Sequence, residues 1–318
     1  MARGQAAPYM RSPTSEAEKK RMTGWWRKGL TALALLGLGT GPGEARTAAP
    51  PKPALWKVAD RDTTVYLFGT IHLLPANFAW RGPAIQAATE RSDGLVVETI
   101  IDPKNMAELS SALTRLGVRD GLPPIESRVA PARRAALAAA IARSGLPPAV
   151  FHRMETWAAA FTLLGTQFKG MDLRQEEGVE TILKQQFRQA GKPIGQLETN
   201  AEQLGFFDAL PEQTQRSLLD AALERPDAAR KQLDSMLSAW SRGDVAAIAR
   251  TFQAEMGGDP AMRDLLLKRR NTNWARWIEG RLNEPGSIMV AVGAGHLAGA
   301  DSVQAMLQKR GLEVTRLQ

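Results

Sequence analysis

The sequence contains no cysteine and only three histidines. The missing cysteine excludes disulfides, thiolate metal sites, a cysteine nucleophile and a cysteine-linked lipid anchor. Three motifs are also absent. There is no Gly-x-Ser-x-Gly, so the nucleophile elbow of typical serine hydrolases is missing. Neither a Gly-x-x-x-x-Gly-Lys-Ser/Thr phosphate loop nor a His-Glu-x-x-His zinc motif occurs. Gly293-x-Gly295 begins like a dinucleotide loop, but the next glycine is Gly299, one residue too late.

The 318 residues, 44% of them hydrophobic, suffice for one large domain or two small ones. Half of the net charge of +8 lies in residues 1–45. What remains is too weak a basic balance to indicate nucleic acid as a partner. The basic excess marks a leader. Lys19, Lys20, Arg21, Arg27 and Lys28 precede the apolar run Leu30–Leu38, and small residues follow, with cleavage expected near 45–49. That is the pattern of a secretory signal peptide. The apolar run is well short of the ~20 residues a membrane-spanning helix needs. The reading is a signal peptide and linker over 1–48, with the exported domain, periplasmic or secreted, over 49–318. An uncleaved N-terminal anchor is the alternative.

Past the linker, Leu55–Val58 and Thr63–Phe68 read as a hairpin, Pro83–Arg91 as a helix and Leu95–Glu98 as a short buried strand. The middle carries apolar residues at helical spacing: Lys104–Leu116, Pro131–Ser144, Pro147–Phe168, Glu176–Ala190, several helices after Asn200, and a long helix over Pro260–Asn283. Pro193–Glu198 and Ser287–Val292 return to strand, followed by a helix over Asp301–Arg310 and a strand over Leu312–Leu317. The fold class expected is α/β, with a mixed sheet built from N- and C-terminal segments and a helical insertion at about 104–283.

Two segments repeat one pattern. Val65–Leu73 and Met289–Leu297 are each an apolar run followed by Gly-x-x-His-Leu, and they hold His72 and His296. A histidine just beyond a buried strand sits where open parallel sheets bind ligands. Two such histidines from opposite ends of the chain point to one shared site for a divalent metal. Each could instead simply bond a loop carbonyl. Glu98, at the end of a buried strand, is the natural third ligand, a general base, or the partner of an arginine. Glu198 ends another strand in the same manner, next to a helix cap at Thr199 or Asn200. Arg270 and Asn271 read either as part of a solvated helix face or as an oxyanion clamp with its orienting group. His152 is read as structural.

Together these pieces resemble the TraB/GumN proteins, which are related to the Tiki metalloproteases. The matching residues are Leu67–His72, Val96–Glu98, Gly178–Glu180, Leu197–Thr199 with Gln203-Leu204, Arg270-Asn271 and Val292–His296. Glu180 departs from the Asp of many relatives. The resemblance implies a divalent-metal-dependent hydrolase, metalloprotease-like, acting on a peptide or protein substrate. It implies His72, Glu98 and His296 as metal residues, with Mn²⁺ or Co²⁺ ahead of Zn²⁺, and Glu98, Arg270 and Asn271 as catalytic residues. A non-catalytic haem- or ligand-binding protein of the same fold is the alternative.

Overall fold

The computed structural model describes residues 51–101, 106–256 and 258–318. The leader expected over 1–48 lies outside them, as does the expected helix start at Lys104.

Eight strands occur among the described residues: β1 (Leu55–Ala59), β2 (Thr63–Thr70), β3 (Leu74–Pro75), β4 (Gly94–Val97), β5 (Leu173–Arg174), β6 (Ile194–Gln196), β7 (Gly286–Gly293) and β8 (Val314–Arg316). Six form a mixed sheet in the order β6-β4-β7-β2-β1-β8. β6, β4, β7 and β2 are parallel, while β1 is antiparallel to β2 and β8. The β1–β2 hairpin is set by Asp60, whose carboxylate accepts the N–H groups of Asp62 and Thr63. The two central strands come from opposite ends of the chain. β2 pairs with β7 along its whole length, from Thr63 opposite Gly286 to Thr70 opposite Gly293. The sheet is therefore built mainly from N- and C-terminal segments around a largely helical middle, which adds the edge strand β6.

Alternate residues of the sheet face opposite layers. Tyr66, Phe68, Met289 and Ala291 pack under Ile85, Leu183, Leu237 and Trp240. Val65, Leu67, Val290 and Val292 pack against Trp274, Ile278 and Leu307. Covered on both faces, β2 and β7 read as continuous apolar runs. A third cluster, around Phe151, Trp157, Phe161 and Phe207, belongs to the helical middle.

The helix expected over Pro147–Phe168 is two, Pro148–Phe151 and Thr156–Lys169. At the break, the buried Arg128 guanidinium donates to the carbonyls of His152 and Met154, which an unbroken helix would have used itself. The long helix expected over Pro260–Asn283 is interrupted by a π-turn, Asp264–Lys268, before the helix Arg269–Arg281. The β3–β5 ribbon was not expected: two residues per strand leave no periodicity to read.

Candidate metal centre

The site lies beyond the carboxyl ends of β2, β4, β6 and β7. Although β2 and β7 carry the same Gly-x-x-His pattern, they deliver it differently. Thr70 pairs with Gly293, so the two motifs are out of register by one residue. After Gly293 the chain winds into the 3₁₀ turn Ala294–Leu297, which holds a buried His296. After Thr70 it bends, leaving His72 partly open to the pocket. The Trp240 indole N–H, bonded to the Gly69 carbonyl at 2.8 Å, fixes the β2 exit.

That exit also receives the helix Val179–Gln189. The Val179 N–H donates to the Ile71 carbonyl at 3.0 Å. A Cβ on Gly178 would stand 2.0 Å from the His72 carbonyl oxygen, so only glycine allows this approach. The result places Glu180, in the first turn of that helix, against His72. Its carboxylate contacts His72 Nδ1 and accepts the Thr70 hydroxyl at 2.8 Å.

Glu98 follows β4 directly. Its Oε1 accepts the Gly293 N–H at 2.6 Å, and its Oε2 accepts from Arg270 at 2.7 Å and from Gln203 at 3.1 Å. His72, Glu98 and Glu180 each present a ligand-type atom, all within 4.8 Å of one another. One imidazole and two carboxylates form a donor set suited to Mn²⁺, Fe²⁺ or Zn²⁺, and the divalent ion implied by the resemblance fits these residues.

His296 stands on the far side of Glu98. Its Nε2 is 3.8 Å from Glu98 Oε1 and is also engaged by Arg270 at 3.1 Å. The ligand-type cluster thus contains Glu180, which composition and spacing had not singled out, while His296 is one carboxylate removed from His72. Since Nε2 faces an arginine donor, Nδ1 carries the ring hydrogen and donates to Asn271 Oδ1 at 2.6 Å. The Asn271 amide in turn donates to the carbonyls of His296 and Asp301. Asn271 therefore fixes both the tautomer and the turn that carries the ring.

Arg270 is not on a solvated face. It is 2% exposed, forked onto Glu198 at 2.8–3.1 Å, bonded to Glu98, and stacked on Trp274. Glu198 is thus the buried counter-ion of Arg270, and Thr199 beside it caps the next helix in a capping box with Glu202. His152 lies elsewhere, accepting the Ile125 N–H at the helix break.

One guanidinium faces two buried carboxylates. Burial penalises the Glu98 charge, but Arg270, the two imidazoles and the Gly293 N–H outweigh it and hold the carboxyl at about 2. Glu198 lacks those additional donors, and burial raises it despite Arg270. Burial, joined by the positive Arg270, lowers His296 to about 3 against the pull of Glu98, so the ring is neutral at physiological pH. Burial also opposes protonation of His72, yet Glu180 and Glu98 raise it above its ordinary value. His72, Glu98, Glu180, Arg270 and His296 line a cavity of about 120 Å³, which Lys184, Ile101, Leu204 and Phe207 also border.

The family model of the TraB/PrgY/gumN family matches residues 54–316. The uncharacterized protein YbaP of Escherichia coli (strain K12) is 26% identical over 247 residues, covering 76% of this chain and 87% of YbaP. YbaP of Shigella flexneri gives the same identity and coverage. No solved structure matches. With the family model spanning almost all the described residues, the chain belongs to the TraB/PrgY/gumN family.

Proposed function

We propose that this protein is a divalent-metal-dependent hydrolase acting on peptide bonds. One observation carries the reading: His72, Glu98 and Glu180 converge within 4.8 Å in a pocket backed by a fully paired arginine. A divalent ion held there supplies a Lewis acid and an activated water at neutral pH. The chain's own groups prepare for that chemistry. Glu98 stays ionised and is held by Arg270, Gln203 and the Gly293 N–H, so it cannot swing away. Glu180 orients His72 and is itself oriented by Thr70. Asn271 keeps His296 in one tautomer, and Arg270 places positive charge against both Glu98 and His296.

The alternative of a haem protein is less well supported. A cavity of about 120 Å³ is far below the 300–1,000 Å³ that drug-sized ligands fill. The leader pattern supports export to the periplasm or the medium, which N-terminal sequencing of the mature protein checks.

The test is hydrolysis of a peptide pool by chelator-treated protein, with and without added Mn²⁺, Co²⁺ or Zn²⁺. The expected result is inactive apoprotein restored by one of these ions, and loss of activity in His72→Ala and Glu180→Gln. Full activity in chelator, or in both variants, overturns the reading.

A further inference from the structure

Two basic side chains line the pocket, and they differ in one respect. Arg270 is saturated by Glu98, Glu198 and His296. Lys184 has neither a hydrogen bond nor an ion pair within reach among the described residues, although it stands one helical turn beyond Glu180 and is partly buried. Burial opposes the charge of this ammonium, and Glu180 attracts it only from beyond ion-pair distance, so a half-buried ammonium without a direct partner is costly. An anion brought in by a ligand removes that cost. The part of a ligand held inside must be small, because the cavity of about 120 Å³ is below the 150 Å³ of an engineered cavity that holds benzene. One wall is apolar, formed by Ile101, Leu204 and Phe207. The lining also includes the carboxylates Glu98 and Glu180, which repel a free anion unless a cation receives it.

A pocket the size of one residue, with an apolar wall and an unpaired ammonium beside the reacting centre, matches the last residue of a peptide. We propose that Lys184 binds the C-terminal carboxylate of a peptide substrate, making the site one that removes the terminal residue; this rests on the hydrolase reading above. The reaction adds one water across the last peptide bond. It releases a free amino acid and a peptide shortened by one residue, with no change in oxidation state.

Two pools of N-acetylated tripeptides of equal composition, one with free C-terminal carboxylates and one amidated, test this with the metal-loaded full-length protein. Binding is followed by calorimetry and cleavage by mass spectrometry. The expected outcome is a preference of about ten- to a hundred-fold for the acid pool in binding, from one charge-assisted contact. Lys184→Met should bring the acid-to-amide ratio close to one, and Lys184→Arg should retain part of it. Thermal melts confirm that each variant is folded. Equal binding of the two pools by the wild type, no binding of the acid pool, or an unchanged ratio in Lys184→Met overturns the assignment. Cleavage of both pools without preference sinks it while leaving the hydrolase reading intact. Lys184-dependent binding of the acid pool without any cleavage does the reverse.

Discussion

Charge placement at single residues governs this site. Arg270 joins two buried carboxylates, and removing one partner of such a group strands the others. Arg270→Met is expected to destabilise the protein by about 3–5 kcal/mol, measured by urea unfolding at pH 7. His296 offers a pH test with a definite sign. Its ordinary value of 6.5 falls to about 3 in the fold, so between these values the unfolded chain binds a proton that the native state refuses. Stability therefore falls as pH drops through that window. Between pH 7 and 4.5, metal-free wild type should lose ~2–3 kcal/mol more than His296→Gln, which has no imidazole to titrate. Parallel stability curves for the two proteins would count against a neutral buried ring. At this scale, the two histidines were legible because two of only three stand in the same Gly-x-x-His context, and Glu98 because a carboxylate ending a buried strand needs a partner. Glu180 was marked only by the resemblance, with no role assigned, and the buried state of Arg270 was not legible, because a basic run in a helix usually reads as a solvated face.

Among the elements, the approach of the helix Val179–Gln189 to the end of β2 decides whether a ligand set exists. It depends on Gly178, where a Cβ would overlap the His72 carbonyl. Gly178→Ala should push the helix start away and separate Glu180 from His72. Divalent-ion affinity is expected to fall at least tenfold, the lower end of what disturbed outer-sphere geometry costs. Isothermal titration with Mn²⁺ measures this, and unchanged affinity would mean the helix start does not position the site. Helix and strand identities were largely readable from apolar spacing. The breaks were less so. The carbonyls freed in the gap between Phe151 and Thr156 are satisfied by Arg128, a residue more than twenty positions upstream, and the π-turn Asp264–Lys268 has no marker in its composition.

Across the whole molecule, His72 and Glu98 arrive near the N-terminal end of the described chain, Glu180 from its middle, and Arg270 and His296 near its C-terminal end. A metal ion held as proposed by His72, Glu98 and Glu180 would tie the ends of β2 and β4 to the helix Val179–Gln189. Binding to the native state alone stabilises by about 2.7 kcal/mol at a hundredfold excess over Kd. Saturating Mn²⁺ or Co²⁺ should therefore raise the thermal midpoint of the wild type and leave Glu180→Gln nearly unmoved. Equal shifts in both proteins would locate the ion elsewhere.

The sequence by itself determined the α/β class, the pairing of the chain's two ends into one sheet, and the residues His72, Glu98 and His296 as the chemically unusual ones. Apolar periodicity and the cost of burying polar groups are local properties, written within a few residues of each position. Only the tertiary structure decided which of these groups meet. The register of β2 against β7, offset by one residue between the two Gly-x-x-His motifs, sends His72 toward Glu180 and His296 toward Arg270 and Asn271. Register and helix approach depend on the packing of segments far apart in the chain, and no local pattern carries that information.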